Sequence, residues 1–158
     1  MPRKTQPVDP NALKVMVIHG PNLNLLGLRD PEHYGTLTLD KLNRALRREA
    51  RTLNLELRIV QTNHEGRIID LLQKRRKWAA AFLLNPGAFT HYSYAIRDAI
   101  EAIKTPVVEV HLSNIHARED FRRLSVVEEV CLKSFFGKQV DSYLEALTFL
   151  AKYLGSGS

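Results

Sequence analysis

The sequence predicts an α/β fold of three layers, with helices on both faces of a five-stranded parallel sheet. Three observations carry this reading. Short β-rich runs alternate along the chain with longer stretches of helical periodicity. The run AAAFLL at 79–84 is apolar without alternation, the pattern of a central strand buried on both faces. The 158 residues, 44% of them hydrophobic, are enough for one domain with a real core.

The elements follow in order. VMVI at 15–18 is a β-rich run. Residues 38–53 place Leu39, Leu42, Leu46 and Leu53 near a helical period, with Thr38 as the N-cap. Leu55, Leu57 and Ile59 alternate as a half-buried strand, and residues 65–77 return to a helix through Ile68, Ile69 and Leu72. That helix ends in basic residues, which suit a helix C-terminus. The central strand at 79–84 comes next, then a helix over Tyr94–Ile103. A strand at 107–112 follows Pro106, and residues 130–136 supply a short fifth strand. The last helix is expected to start at Ser142-Tyr-Leu-Glu145, a capping-box spacing, and to run to about Leu154. Residues 1–13 read as a flexible N-terminal extension, 14–154 as the single domain and the final GSGS, 155–158, as a linker-like tail.

The strand order expected is 2-1-3-4-5, the flavodoxin-like arrangement. Ligands of such sheets bind beyond the carboxyl ends of the strands where the winding reverses, here between strands 1 and 3. The loops after strands 1, 3 and 4 therefore share one crevice. They read HGPNLNLLGLRDPEHYG (19–35), NPGAFTHYS (85–93) and EVHLSNIHAREDFRR (109–123).

Composition excludes several classes. No apolar run approaches membrane-spanning length, and the N-terminus lacks the apolar core of a secretory signal. The single cysteine, Cys131, leaves no intrachain disulfide and no zinc spacing, which favours a cytoplasmic protein. The net charge of +6 arises from short clusters with acids between them, without an aromatic-spaced RNA motif, so no nucleic-acid role is assigned. Neither G-x-x-x-x-G-K-[ST] nor G-x-G-x-x-G is present, which disfavours a nucleotide or flavin binder on the same fold.

Within the crevice, Glu109 and His111 are two residues apart on a strand expected to be buried, so both face one way. A buried charge needs a partner or a function. The pair serves either to hold a loop or to do chemistry. His91 is either a surface or capping residue near a helix start or a ligand group. Asn22 either caps backbone or presents its amide to a ligand. Tyrosine, with a pKa of about 10, is a poor base unless a neighbouring guanidinium favours the tyrosinate. Arg29 and Tyr34 on one loop would form such an acid–base unit.

Four segments, GPNLNLLGLRDPEHYG, QTNHEGRIIDLLQ, LLNPGAFTHYSYAIRDAI and PVVEVHLSNIHAREDFRR, together resemble the type II 3-dehydroquinate dehydratases in order and spacing. The similarity covers about residues 14–153. It implies a flavodoxin-like enzyme of the shikimate pathway, a hydro-lyase without cofactor or metal. The reaction is anti elimination of water from 3-dehydroquinate, giving 3-dehydroshikimate through an enolate. It places the base at Tyr34, its activating guanidinium at Arg29, the general acid at His111 and the group orienting that acid at Glu109. Asn22 matches the residue that organises a water against the enolate. Asn85, His91 and Arg122 match residues holding the ring hydroxyls, while Leu112 and Ser113 match the carboxylate segment. Arg118 corresponds to a supporting arginine and Asp98 to an acid contributed across a subunit boundary. The family assembles as trimers and commonly as a dodecamer of four trimers.

The chain departs from the pattern at Asp30, where Glu is common, and at Arg67. It departs again in 126–141, with Glu128, Glu129, Lys133 and a Gln139 where glycine is usual. That last region is the best support for a competing reading, a catalytically silent relative that keeps the fold for binding or assembly. The complete set of expected active-site residues argues against it. No lysine lies in the three crevice loops, which argues against a Schiff-base route.

Overall fold

The structure, a computed structural model, describes residues 7–28 and 35–156. Strands β1 (Leu13–His19), β2 (Leu55–Gln61), β3 (Ala81–Asn85), β4 (Val107–Val110) and β5 (Lys133–Phe135) form one sheet. Its order is β2-β1-β3-β4-β5, with every neighbouring pair parallel. Helices α1 (Leu39–Thr52) and α4 (Val140–Ser156) cover one face; α2 (Glu65–Arg75) and α3 (Tyr94–Ile103) cover the other. Among the described residues no helix is long and apolar enough to cross a membrane.

The strand period of two divides the core. Val15 and Val17 of β1 join Leu83 of β3 and Val108 and Val110 of β4 against Leu42, Leu46, Tyr143 and Leu147. Met16 and Ile18 join Phe82, Leu84 and Val107 against Ile68, Leu72, Ile96 and Ile100. Both cores are apolar, which is why residues 79–84 show no alternation. Register still matters: a one-residue slip would exchange side chains of different shape between the two cores.

Two helix starts are built by hydroxyl caps. Thr38 Oγ1 accepts from the Lys41 amide at 3.2 Å, as its position before the leucine repeat predicts. Ser93 Oγ accepts from the Ile96 amide at 3.0 Å and starts α3. Such a cap stabilises a helix by about 1 kcal/mol.

The boundaries correct several expectations. Helix α2 stops at Arg75 rather than 77, and β3 spans 81–85, with Ala79 and Ala80 in the connection leading into it. Strand β4 ends at Val110 instead of 112, although His111 N–H still donates to Phe135 O at 2.9 Å. Helix α4 starts at Val140, so Ser142 is not its N-cap. Ser142 Oγ instead accepts from the Lys138 amide at 2.9 Å, inside the first turn. The helix continues through Gly155 and Ser156, and β1 takes in Leu13.

The divergent segment 126–141 keeps its strand. Lys133 is exposed on edge strand β5, its ammonium 5.1 Å from the ring centres of both Phe135 and Phe149. A lysine on an edge strand also discourages pairing with another sheet. Gln139, at the expected glycine position, has φ of 54°, a left-handed conformation costing a side-chain-bearing residue about 1–2 kcal/mol.

Candidate active site

The carboxyl ends of β1, β3 and β4 open into one cleft of about 160 Å³. Its lining draws Asn22 from the first loop, Asn85 and His91 from the second, and His111, Leu112, Ser113, Arg118 and Arg122 from the third. Eight of the residues expected at the site therefore meet there, contributed by three loops distant in sequence. Pro21, Gly87 and Ile115 also line the cleft.

Close backbone approach joins the first two loops. Gly20 N–H donates to Asn85 O at 2.7 Å, and a Cβ on Gly20 would lie 2.6 Å from that oxygen. Glycine is thus the residue that lets the β1 loop sit directly on the β3 loop. Asn22 adopts the left-handed conformation, φ 68°, which asparagine tolerates. Its backbone N–H donates to Asn63 Oδ1 at 3.0 Å. Its side chain makes no capping bond to the short helix it precedes, and Asn22 lines the cleft.

The floor is the Glu109–His111 pair. Glu109 is fully buried, and His111 Nε2 lies 2.7 Å from Glu109 Oε2. The same carboxylate accepts from Ser125 Oγ at 2.9 Å and Ser134 Oγ at 2.8 Å, and from the Thr90 hydroxyl. Burial pushes the Glu109 pKa up, but the hydrogen bond and charge of His111 with the Thr90 and Ser134 hydroxyls outweigh it. The net value falls from 4.5 to about 2. With Glu109 ionised it can only accept, so Nε2 of His111 carries a proton and Nδ1 is the ring atom left for chemistry. Glu109 also ties together the loops carrying Thr90 and Ser125. These bonds make the pair an anchor for the loops around the cleft.

A pH prediction follows from this network. The folded pKa of Glu109 lies below its unfolded value, so its stabilising contribution is complete above about pH 4.5 and is lost as pH falls toward about 2. Glu109→Gln should therefore lower the melting temperature at neutral pH, with the deficit shrinking across that acid window. Thermal denaturation at several pH values checks it; a deficit independent of pH would contradict the assignment.

His91 is not a helix cap, since Ser93 takes that role. Its Nδ1 donates to Leu124 O at 2.7 Å, leaving Nε2 as the acceptor of the neutral ring. Burial lowers its pKa, assisted by the nearby charges of His111 and Arg122 and opposed by the Leu124 bond and Glu109. Arg122 is half-buried, with Nε donating to Glu119 Oε2 at 3.2 Å. Together Arg118 and Arg122 give the cleft two fixed positive charges, suited to an anionic ligand.

Asp98 is brought to no part of this cleft: it is exposed on α3 and absent from the lining. Arg29, Asp30 and Tyr34 lie outside the described residues. Sequence reasoning missed Thr90, Ser125 and Ser134. Isolated loop hydroxyls carry no pattern, and Ser134 is found only through the β4–β5 register that sets it opposite Glu109. Tyr143, His19 and Asn43 were missed as well, being spread over three elements.

The sequence matches the family described as Dehydroquinase class II over residues 13–151. It is 50% identical over 144 residues to the 3-dehydroquinate dehydratase of Pelotomaculum thermopropionicum, covering 91% of this chain and 100% of the relative. The corresponding protein of Halothermothrix orenii is 48% identical over 145 residues, covering 92% and 98%. Among solved structures, the type II dehydroquinase of Butyrivibrio crossotus superimposes with a TM-score of 0.85 at 40% identity, covering 88% of this chain and 97% of that one. Sequence match, strand order and a cleft at the reversal of the winding agree: the chain belongs to the class II dehydroquinase family.

Proposed function

We propose that this protein is a 3-dehydroquinate dehydratase, a hydro-lyase that removes water from 3-dehydroquinate to give 3-dehydroshikimate in the shikimate pathway. The observation that carries the reading is the buried Glu109–His111 pair at the floor of a cleft lined by two arginines. That arrangement supplies an oriented proton donor beside a site for an anionic, hydroxylated substrate.

On this reading Tyr34, held as tyrosinate by Arg29, takes the proton next to the substrate ketone. The C–H electron pair becomes the enolate, whose oxygen needs donors in place before the charge develops. A water held by Asn22 provides one. The enolate pair then forms the ring double bond as the C–O bond breaks, and the His111 imidazolium, its Nε2–H kept on Glu109, gives its Nδ1 proton to the departing hydroxyl, releasing water. Proton transfer through solvent from Tyr34 to His111 restores both groups. Asn85, His91 and Arg122 hold the ring hydroxyls, while Leu112 and Ser113 take the carboxylate with Arg118 in support. Every proton and electron pair is supplied by this chain, the substrate or solvent, so the proposed route includes no cofactor or metal.

The same reading makes 14–154 one catalytic domain in a cytoplasmic enzyme. It assembles trimers, four of them forming a dodecamer, with Asp98 reaching the site of a neighbouring copy. The exposure of Asp98 outside its own cleft supports that placement.

The test is direct. Purified protein, treated with chelator and then given 3-dehydroquinate, should produce the rising absorbance of a conjugated enone. No rise at catalytic protein concentration would overturn the reading.

A further inference from the structure

Behind the cleft, among the side chains that join the sheet to α1 and α4, lies a polar chain that the proton transfers do not use. Asn85 Nδ2 donates to the Tyr143 hydroxyl at 3.0 Å, that hydroxyl is 3.1 Å from His19 Nδ1, and His19 Nε2 is 2.8 Å from Asn43 Oδ1. His19 and Tyr143 are fully buried. No described buried side-chain nitrogen or oxygen lacks a partner.

The direction of every bond follows from one end. Gly87 N–H, which can only donate, bonds Asn85 Oδ1 at 3.0 Å. The nitrogen of the Asn85 amide must then face Tyr143, whose oxygen accepts. The Tyr143 proton is left to point at His19 Nδ1, so that atom carries a lone pair. Nε2 then bears the ring proton and donates to Asn43 Oδ1. Burial, partly offset by the Asn43 bond, holds His19 near a pKa of about 4, which keeps the ring neutral. Flipping the Asn85 amide would set N–H against the Gly87 N–H, a buried clash of donors.

We infer that Tyr143, His19 and Asn43 are positioning residues for Asn85: they lock its amide so that the remaining N–H is presented at a set place for a substrate ring hydroxyl. This rests on the dehydratase reading for the substrate, but the lock itself does not. Tyr143 is not itself part of the cleft lining and reaches it only through Asn85. Its hydroxyl acts through Asn85.

Steady-state kinetics on the full-length protein test the inference. Tyr143→Phe and His19→Leu should each raise KM for 3-dehydroquinate about tenfold with kcat changed less than about threefold, the loss expected when one buried donor is no longer held. His19→Gln, which offers an acceptor to Tyr143 and a donor to Asn43, should restore KM. If Tyr143→Phe does not fold, the two His19 variants make the same comparison. An unchanged KM, or a change confined to kcat or melting temperature, would overturn the inference. If the parent protein lacks turnover, the functional reading fails separately. A crystal structure of Tyr143→Phe then decides: a rotated Asn85 amide supports the lock, and an unmoved one refutes it.

Discussion

His111→Ala is expected to lower kcat for 3-dehydroquinate by at least ~100-fold, the low end of what a positioned general acid supplies. Hydroxide is a poor leaving group, and in the proposed mechanism His111, its ring oriented by Glu109 at 2.7 Å, protonates it. The variant should still fold. Without the imidazole, the Glu109 carboxylate keeps the hydroxyls of Thr90, Ser125 and Ser134 as donors. Circular dichroism at neutral pH checks the fold, and steady-state turnover reads the effect. Near-normal turnover in a folded variant would remove His111 from its assigned role.

Tyr34→Phe should cost at least ~100-fold in turnover as well, because phenylalanine offers no base. Tyr34 lies outside the described residues, so the expectation stands on the family pattern and on acid–base chemistry. A free phenol of pKa about 10 is mostly protonated at neutral pH, and a guanidinium beside it, the role proposed for Arg29, favours the anion. The two variants should differ in kind. Exchange of the substrate α-proton with deuterated solvent should vanish in Tyr34→Phe, which cannot form the enolate. It should persist in His111→Ala, where the enolate forms but water does not leave. Equal exchange in both would exclude the division of labour between base and acid.

The element order was legible because each strand and most helices carry a local signal. Leu42 and Leu46 repeat at helical spacing and are fully buried, while the uninterrupted apolar run ending at Leu84 marks a strand between two cores. The errors fell at boundaries set by competition among hydrogen bonds. Ser142 has the spacing of a cap, yet its hydroxyl serves the Lys138 amide within a turn already begun. Gln139 holds a left-handed turn without the glycine that would announce it.

The site divides in a similar way. His91, Asn22 and the Glu109–His111 pair are short-range features, each attached to the end of a strand. Once the strand order was inferred, their convergence followed from topology. Which of two uses each residue served did not. His91 is left with Nε2 as an acceptor at the cleft only because the carbonyl of Leu124, 33 positions away, accepts from its Nδ1–H. The low pKa of Glu109 depends on His111 first and then on hydroxyls from Thr90 and Ser134, neither of the two distinguished by local pattern.

Read without coordinates, the chain specified a parallel α/β sheet, its strand order, the crevice and the chemical types gathered there. Periodicity and strand-end position are local properties, written in neighbouring residues. Hydrogen-bond direction, tautomer and charge state were decided only by the folded arrangement. They depend on which donors and acceptors meet after burial has removed water, and in the chain Asn43–His19–Tyr143–Asn85 those partners come from four separate elements.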